Sequence, residues 1–257
     1  MHNELKSQVL KLLASGLRLD GRKATEYRKP IKVEYGFTKT AEGSAKVTIG
    51  DTEVIAGVKL EIMTPYPDTP DQGSIMVGAE LLPLSSPEFE LGPPGNQAIE
   101  LARVVDRGIR ESKAIDFKAL CIEPGVKAWM VVIDLCTIND AGNLFDVCAL
   151  AALAALKNAK FPKYEDGKID YRTKTSEELP LQEEPISVTV LKIGNHFIVD
   201  PDNEEELVAE ARLTVAIMSD GSLCALQKGG EFAIKLEDVN QMIGIASDGS
   251  KALREAL

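Results

Sequence analysis

Three arginines, Arg103, Arg107 and Arg110, recur at spacings of four and three residues, which places them on one face of a helix, and Lys113 extends the stripe. A fixed row of guanidiniums suits the phosphate backbone of a single-stranded nucleic acid. Glu100, Asp106 and Glu111 share the same stretch, so a salt-bridged helix surface is the alternative, and the spacing leaves both open. A second charged cluster, Asp200, Asp202, Glu204, Glu205 and Glu206, stands at a loop-to-helix transition, where carboxylates favour a helix N-terminus. Capping is therefore expected there rather than metal binding. Asp134 and Asp140 are read as strand-end carboxylates, and Asp20-Gly21-Arg22 as a structural turn. Cys121, Cys136, Cys148 and Cys224 lie far apart in apolar contexts, and the only histidines are His2 and His196. That spacing does not make a metal site, and the thiols are expected to pack as small hydrophobes. No metal and no cofactor is expected, and Lys39, Lys46 and Lys59 receive no role.

These groups need a scaffold, and hydrophobic periodicity outlines one. Asn3 to Ser15 puts Leu5, Val9, Leu12 and Leu13 on one helical face before Gly16. Ile31 to Tyr35 alternates like a strand, and Ala45 to Ile49 and Thr52 to Ile62 flank the hairpin signal Gly50-Asp51. Ser74 to Leu84 reads as a strand, inside a stretch from Thr64 to Gly95 that holds more than half of the 13 prolines. Such a run fixes loop shape and forbids helix through most of its length. Asn96 to Lys113 is helical, with Ile99, Leu101, Ala102, Val104, Val105 and Ile109 as its apolar face. Trp129 to Ile138 reads as a buried strand, and Leu144 to Asn158 as a nearly all-apolar, central helix. Hairpins are expected across Gly194-Asn195 and Asp220-Gly221, and a last helix over Leu236 to Leu253 with Leu236, Val239, Ile243 and Ala246 inward. The polar stretch from Lys160 to Glu184 reads as a seam. The domain division expected is 1–160, a connecting segment 161–185, and 186–257. The order of elements gives an α+β fold of two stacked halves.

Composition narrows the functional class. The chain has 257 residues, 44% hydrophobic and 27% charged, which fits a soluble globular protein. The most apolar stretch, Val147 to Leu156, is too short to cross a bilayer, so no membrane role and a cytoplasmic location are expected. A formal net charge of −11 argues against an autonomous, indiscriminate nucleic-acid binder, because phosphate neutralisation supplies most of such affinity. A nucleic-acid role here requires a local basic feature or a partner.

Longer segments carry a resemblance. Pro67-Asp68-Thr69-Pro70-Asp71-Gln72-Gly73, then Ala79 to Pro87, then Gly92-Pro93-Pro94-Gly95 with Ala98 to Arg107, resemble the ribonuclease PH superfamily. Within it, the wording is most similar to the non-catalytic ring subunits of archaeal exosomes. The resemblance continues through Arg18 to Arg22, Asn139 to Gly142 and Val199 to Gly221, and so covers nearly the whole chain. It implies mixed or antiparallel sheets with helices between. It also implies a six-membered ring of three heterodimers with a catalytic ribonuclease PH-like subunit, RNA-binding cap subunits, and single-stranded RNA passing a central pore. The chemistry implied is phosphorolysis of RNA from the 3′ end.

Phosphorolysis sets a phosphate dianion beside an anionic phosphodiester, so a working site needs fixed cations, donors and an acid. The resemblance locates three such features, and this chain departs from each. Gln97 stands where an arginine precedes the helix. Gly142-Asn143-Leu144 replaces a Gly-Ser/Thr-Arg run. Ala209-Glu210-Ala211-Arg212 replaces an Ala-Glu-x-Asp segment. Arg212 cannot serve as a general acid, and each lost donor costs about 3–4 kcal/mol of transition-state stabilisation. The reading is a silent subunit that contacts RNA through Arg103, Arg107 and, less centrally, Arg110. Its alternatives are an active homo-oligomeric phosphorolytic ribonuclease of the same superfamily and a scaffold that makes no RNA contact.

Overall fold

The computed structural model describes residues 2–165 and 167–257. The first half opens with α1 (His2–Ala14) and then builds a mixed sheet from β1 (Ile31–Tyr35), β2 (Gly43–Ile49), β3 (Thr52–Met63) and β4 (Ser74–Glu80). After α2 (Asn96–Glu111) come β5 (Cys121–Glu123), β6 (Lys127–Asn139) and α3 (Leu144–Lys157). Strand order is β1-β2-β3-β6-β4, with β5 also paired to β6; β4 is parallel to β6 and every other pair is antiparallel. Then follow β7 (Lys160–Glu165) and β8 (Lys168–Glu178), a hairpin of their own. The second half comprises β9 (Ile186–Ile193), β10 (His196–Val199), α4 (Asn203–Val208), β11 (Ala211–Ile217), β12 (Leu223–Gly229) and α5 (Leu236–Ala256). Its antiparallel sheet runs β10-β9-β11-β12. The expected α+β architecture with mixed and antiparallel sheets is the one observed.

Helix α3 explains why the halves stack. Val147, Cys148, Leu150 to Leu156 and Ala159 are all buried, so the helix has no solvent stripe. It packs against β2 and β3 on one side and β9 and α2 on others. Its alanines allow a close approach: a Cβ on Gly43 of β2 would lie 2.3 Å from the Ala155 carbonyl oxygen, so only glycine fits there. One hydrophobic cluster joins Val47, Leu60, Ile133 and Leu153 to Val188, Val215, Met242 and Leu253, spanning both halves. Truncating a residue such as Leu153 would cost about 2–5 kcal/mol.

The hairpin signals hold. Ile49 pairs Thr52 and Ile193 pairs His196, and Gly50, Gly194 and Gly221 all take positive φ. Three details differ from the sequence reading. The polar stretch read as a seam is largely the β7–β8 hairpin, whose β8 is exposed along most of its length while β7 buries Phe161 and Pro162; Asp166 within it lies outside the described residues. Leu236, expected inward, is 77% exposed at the start of α5, whereas Ala246 is buried as expected, Val239 and Ile243 are half-buried against the core, and Met242, Ser250 and Leu253 complete the inward face. Ile99, assigned to the apolar face of α2, is 47% exposed. Among the described residues no helix is long and apolar enough to cross a membrane.

Candidate functional site

Two regions gather the chemistry-bearing residues, and α2 separates them. The first is a groove of about 510 Å³ between α2 and the edge strand β4, lined by Arg103, Arg107 and Arg110 together with Ile75 to Ala79. All three arginines are solvent-exposed, as their helical spacing predicts. Their bonding differs. Arg110 forms a two-point pair with Asp106, at 3.1 and 2.8 Å, and donates to the Ile75 carbonyl at 3.0 Å. Arg107 donates to Gln227 Oε1 on β12 at 3.0 Å. Arg103 makes no ion pair with any described residue. The salt-bridged reading therefore describes Arg110, whereas Arg103 and Arg107 keep guanidinium donors for an outside partner. Lys113 does not extend the stripe: α2 ends at Glu111, and Lys113 turns out of it with φ 54°.

The second region is a recess of about 400 Å³ lined by Gln97, Glu100, Asn143, Phe145, Glu206 and Arg212, among others. It brings Gln97 and Arg212 together although 115 positions separate them in sequence. Leu144 does not join them. It is 5% exposed and packs into the core, while its neighbours Asn143 and Phe145 face the recess.

Backbone geometry fixes this wall. Gly142 takes φ +96°, and a Cβ there would sit 2.4 Å from the Pro201 carbonyl oxygen, so the turn before α3 can press against the acidic loop only as glycine. Asp140 Oδ1 closes the turn by accepting from Gly142 N at 3.0 Å. Asn143 then enters α3 in the left-handed conformation, φ 61°.

Every cation near this wall faces an internal carboxylate. Arg212 pairs with Glu100 at 2.5 Å, and its guanidinium carbon lies 4.4 Å from the Phe145 ring centre. Asn143 N donates to Glu206 Oε1 at 2.9 Å, and Asn143 Nδ2 to Asp200 Oδ1 at 2.9 Å. Glu206 keeps solvent contact at the mouth of the recess, yet the surrounding protein desolvates it and pushes its carboxyl up to about 7. The Asn143 N–H lowers it, Asp140 raises it, and Arg212 and Arg28 lower it again. Asp140 is itself raised, mainly by burial.

Behind the recess, the acidic run meets arginines from the N-terminal segment. Fully buried Asp200, at φ 47°, accepts from Arg22 Nη1 at 3.0 Å, Arg28 N at 2.6 Å and Arg28 Nη2 at 2.8 Å. Arg18 is 2% exposed and pairs through both Nε and Nη2 with buried Glu205, while donating to the Val199 and Asp200 carbonyls at 2.8 and 2.9 Å. Asp202 caps α4 in a reciprocal box with Glu205. Capping and the Arg18–Arg22 turn agree with their sequence readings. The Arg18, Arg22 and Arg28 pairings, together with Glu206 and Glu100, were missed, because the partners are 63 to 187 residues apart or were charged residues without a motif. The only local hint was an acidic run too dense to be buried without cations. Among the described residues no group of three His, Cys, Asp or Glu side chains is arranged to hold a metal ion.

The chain is similar to known proteins over nearly its whole length. The 3′ exoribonuclease family matches the chain in two parts, its domain 1 over residues 27–162 and its domain 2 over residues 183–249. The exosome complex component Rrp42 of Methanocella arvoryzae is 46% identical over 255 residues, covering 99% of this chain and 96% of the relative. Among solved structures, a chain of the Archaeoglobus fulgidus exosome with RNA bound to the active site superposes with a TM-score of 0.90 at 44% identity, covering 99% of this chain and 98% of that one. A chain of an archaeal exosome core gives a TM-score of 0.87 at 40% identity, with 99% and 96% covered.

Proposed function

Because the chain belongs to the 3′ exoribonuclease family, we propose that it is the non-catalytic subunit of an archaeal-type exosome ring. In this reading three copies alternate with three of a catalytic ribonuclease PH-like subunit in a hetero-hexamer that degrades RNA from the 3′ end, in the cytoplasm, beneath RNA-binding cap subunits. The chain shapes the partner's site and lines the RNA path. The division 1–160, 161–185 and 186–257 belongs to the same reading.

One observation carries the assignment of silence: among the described residues, the recess holding Gln97 and Arg212 offers no uncommitted cation. Arg212 is tied to Glu100, and the Asn143 N–H is tied to Glu206. Phosphorolysis needs the reverse, free positive donors around incoming phosphate. RNA contact is assigned to Arg103 and Arg107, exposed along the α2–β4 groove, with Arg110 contributing less because Asp106 already holds it. Confinement in a ring lets such weak contacts act together, which reconciles an RNA role with a net charge of −11. The test is nucleoside diphosphate release from poly(A) and phosphate. The isolated chain releases none, and adding the catalytic subunit brings release. Turnover by the isolated chain, lost on replacing Gln97 or Arg212, would refute the assignment.

A further inference from the structure

Strand residues alternate between the two faces of a sheet. In the first sheet, Val54, Ala56 and Val58 of β3 and Ile133 and Leu135 of β6 are buried on the side where α3 packs. The opposite face reaches solvent across β3, β6 and β4: Ile55 and Cys136 are half-buried, and Asp134, Met76 and Glu80 are exposed. Asp134, read from the sequence as a strand-end carboxylate, stands well inside β6 and has a glycine in register on each side, Gly57 of β3 and Gly78 of β4. Glycine inside a strand weakens it, and marks a bulge, a bend or a place where another molecule comes close. Nothing within the chain requires these two. Neither takes positive φ, and the ladders run past both without a register shift. A Cβ on Gly57 would meet Ala41 Cβ at 3.8 Å, and one on Gly78 would meet Asp134 Oδ1 at 3.6 Å. Both are ordinary contacts, so alanine would fit at either position. The glycines open a shallow trough across three strands, with Asp134 in it, Ile55 and Cys136 along one edge, and Val132 and Met76 along the other.

The charge of this face is one-sided. Its lysines are taken, Lys46 by Glu53 at 3.0 Å and Lys59 by Glu42 at 2.8 Å. Asp134, Glu80 and Glu61 pair with no cation among the described residues. Burial and then the charge of Glu80 raise the Asp134 carboxyl above its ordinary range, so the two carboxylates repel each other beside the trough. The same charges repel the phosphates of RNA and favour a basic visitor.

We propose that this trough seats a segment of the neighbouring catalytic subunit, which lays an arginine or lysine side chain on Asp134 between Gly57 and Gly78. The proposal deepens the silent-subunit reading and rests on it, because alternation around a closed ring gives every chain a neighbour on each of two faces. A basic group must come within hydrogen-bond distance of the carboxylate to form a charge-assisted pair. Side chains at positions 57 and 78 would hold it off, which gives the two glycines the purpose that the chain alone does not. Ile55 and Met76 supply apolar surface to either side, and Glu80 adds to the attraction.

The experiment follows assembly of the full-length chain with the catalytic subunit by analytical ultracentrifugation, beside thermal unfolding of the chain alone. The double variant Gly57→Ala, Gly78→Ala should melt at or above the native temperature, because alanine fits both positions and restricts the unfolded chain. It should nevertheless bind the catalytic subunit about tenfold or more weakly. Asp134→Asn keeps the shape of the trough and should lose about tenfold as well, with a flatter dependence of assembly on salt. If the alanine variant does not fold, Asp134→Asn decides alone: weaker assembly supports the proposal and native affinity overturns it. Folded variants that assemble as the native chain does would overturn it. So would variants that lose only self-association of the isolated chain, since the occupant would then be a second copy. These failures leave the silent-subunit reading standing. A native chain that does not assemble with the catalytic subunit at all would overturn that reading, and the proposal with it.

Discussion

Arg18, in the loop after α1, and Arg103, on the outer face of α2, carry the same guanidinium into opposite surroundings. Arg18 is buried, and its donors reach Glu205 and the backbone carbonyls of Val199 and Asp200. Arg103 stands exposed beside a groove, and no carboxylate among the described residues holds it. Arg22 and Arg28 follow Arg18, and Arg107 follows Arg103, so the molecule sorts its arginines by region. Those of the N-terminal segment neutralise the acidic loop and hold the wall of the silent recess, whereas Arg103 and Arg107 of α2 stay available and only Arg110 is held, by Asp106. Net charge hides this division, because an acidic chain can keep a local basic row only where its carboxylates are committed elsewhere.

The largest expected effect tests the buried member of the comparison. Arg18→Ala leaves Glu205 unpaired in the core and should cost about 3–5 kcal/mol in urea denaturation, whereas Arg103→Ala should stay within about 0.5 kcal/mol. Equal costs for the two would dissolve the distinction.

Next comes Asp146, a fully buried carboxyl in the first turn of α3 that binds the halves together. It accepts from Tyr27 Oη at 3.0 Å and from Thr189 N of β9 at 2.7 Å. Burial raises it from the ordinary 3.8 to about 7, the Thr189 and Tyr27 hydrogen bonds lower it, and the charge of Asp200 raises it. A raised carboxyl binds its proton more tightly folded than unfolded. Its contribution is therefore complete below pH 3.8, is lost as pH climbs to about 7, and is flat above that. Denaturation midpoints measured across that window should fall in the native chain relative to Asp146→Asn, which cannot titrate. Parallel profiles would show that the carboxyl does not titrate there.

The smallest effect sharpens the contrast within α2 itself. Replacing Arg110 with Ala breaks an exposed i,i+4 pair and one hydrogen bond to the Ile75 carbonyl and should change stability by about 1 kcal/mol. In an assembled ring it should weaken RNA binding less than Arg103→Ala does, read by fluorescence anisotropy with labelled single-stranded RNA. A larger loss at Arg110 would mean that Asp106 does not hold it.

Local patterns were legible wherever one segment contained its own reason. The uninterrupted apolar run of α3 announced a central helix, and Gly50-Asp51, Gly194-Asn195 and Asp220-Gly221 announced hairpins through the backbone conformations they permit. Segments whose pattern depends on what covers them were harder. β8 is charged and exposed along most of its length, so it did not read as a half-buried strand, and Leu236 kept the helical period while extending past the surface it should cover. Of the recess, Gln97 and Arg212 were visible through family resemblance, but not Glu206, whose significance depends on an N–H contributed 63 residues earlier. The pairing of Arg18 with Glu205 spans 187 residues, a distance at which no spacing rule operates.

The most direct test of the sorted arginines is the salt dependence of single-stranded RNA binding by the assembled ring, native against Arg103→Ala with Arg107→Ala. Each phosphate contact contributes a slope of about −0.7 in log affinity against log salt, so losing two sets of contacts should flatten the dependence by about 1.4 for each copy that touches the strand. An unchanged slope and affinity, in a ring shown by its mass to be intact, would contradict the account.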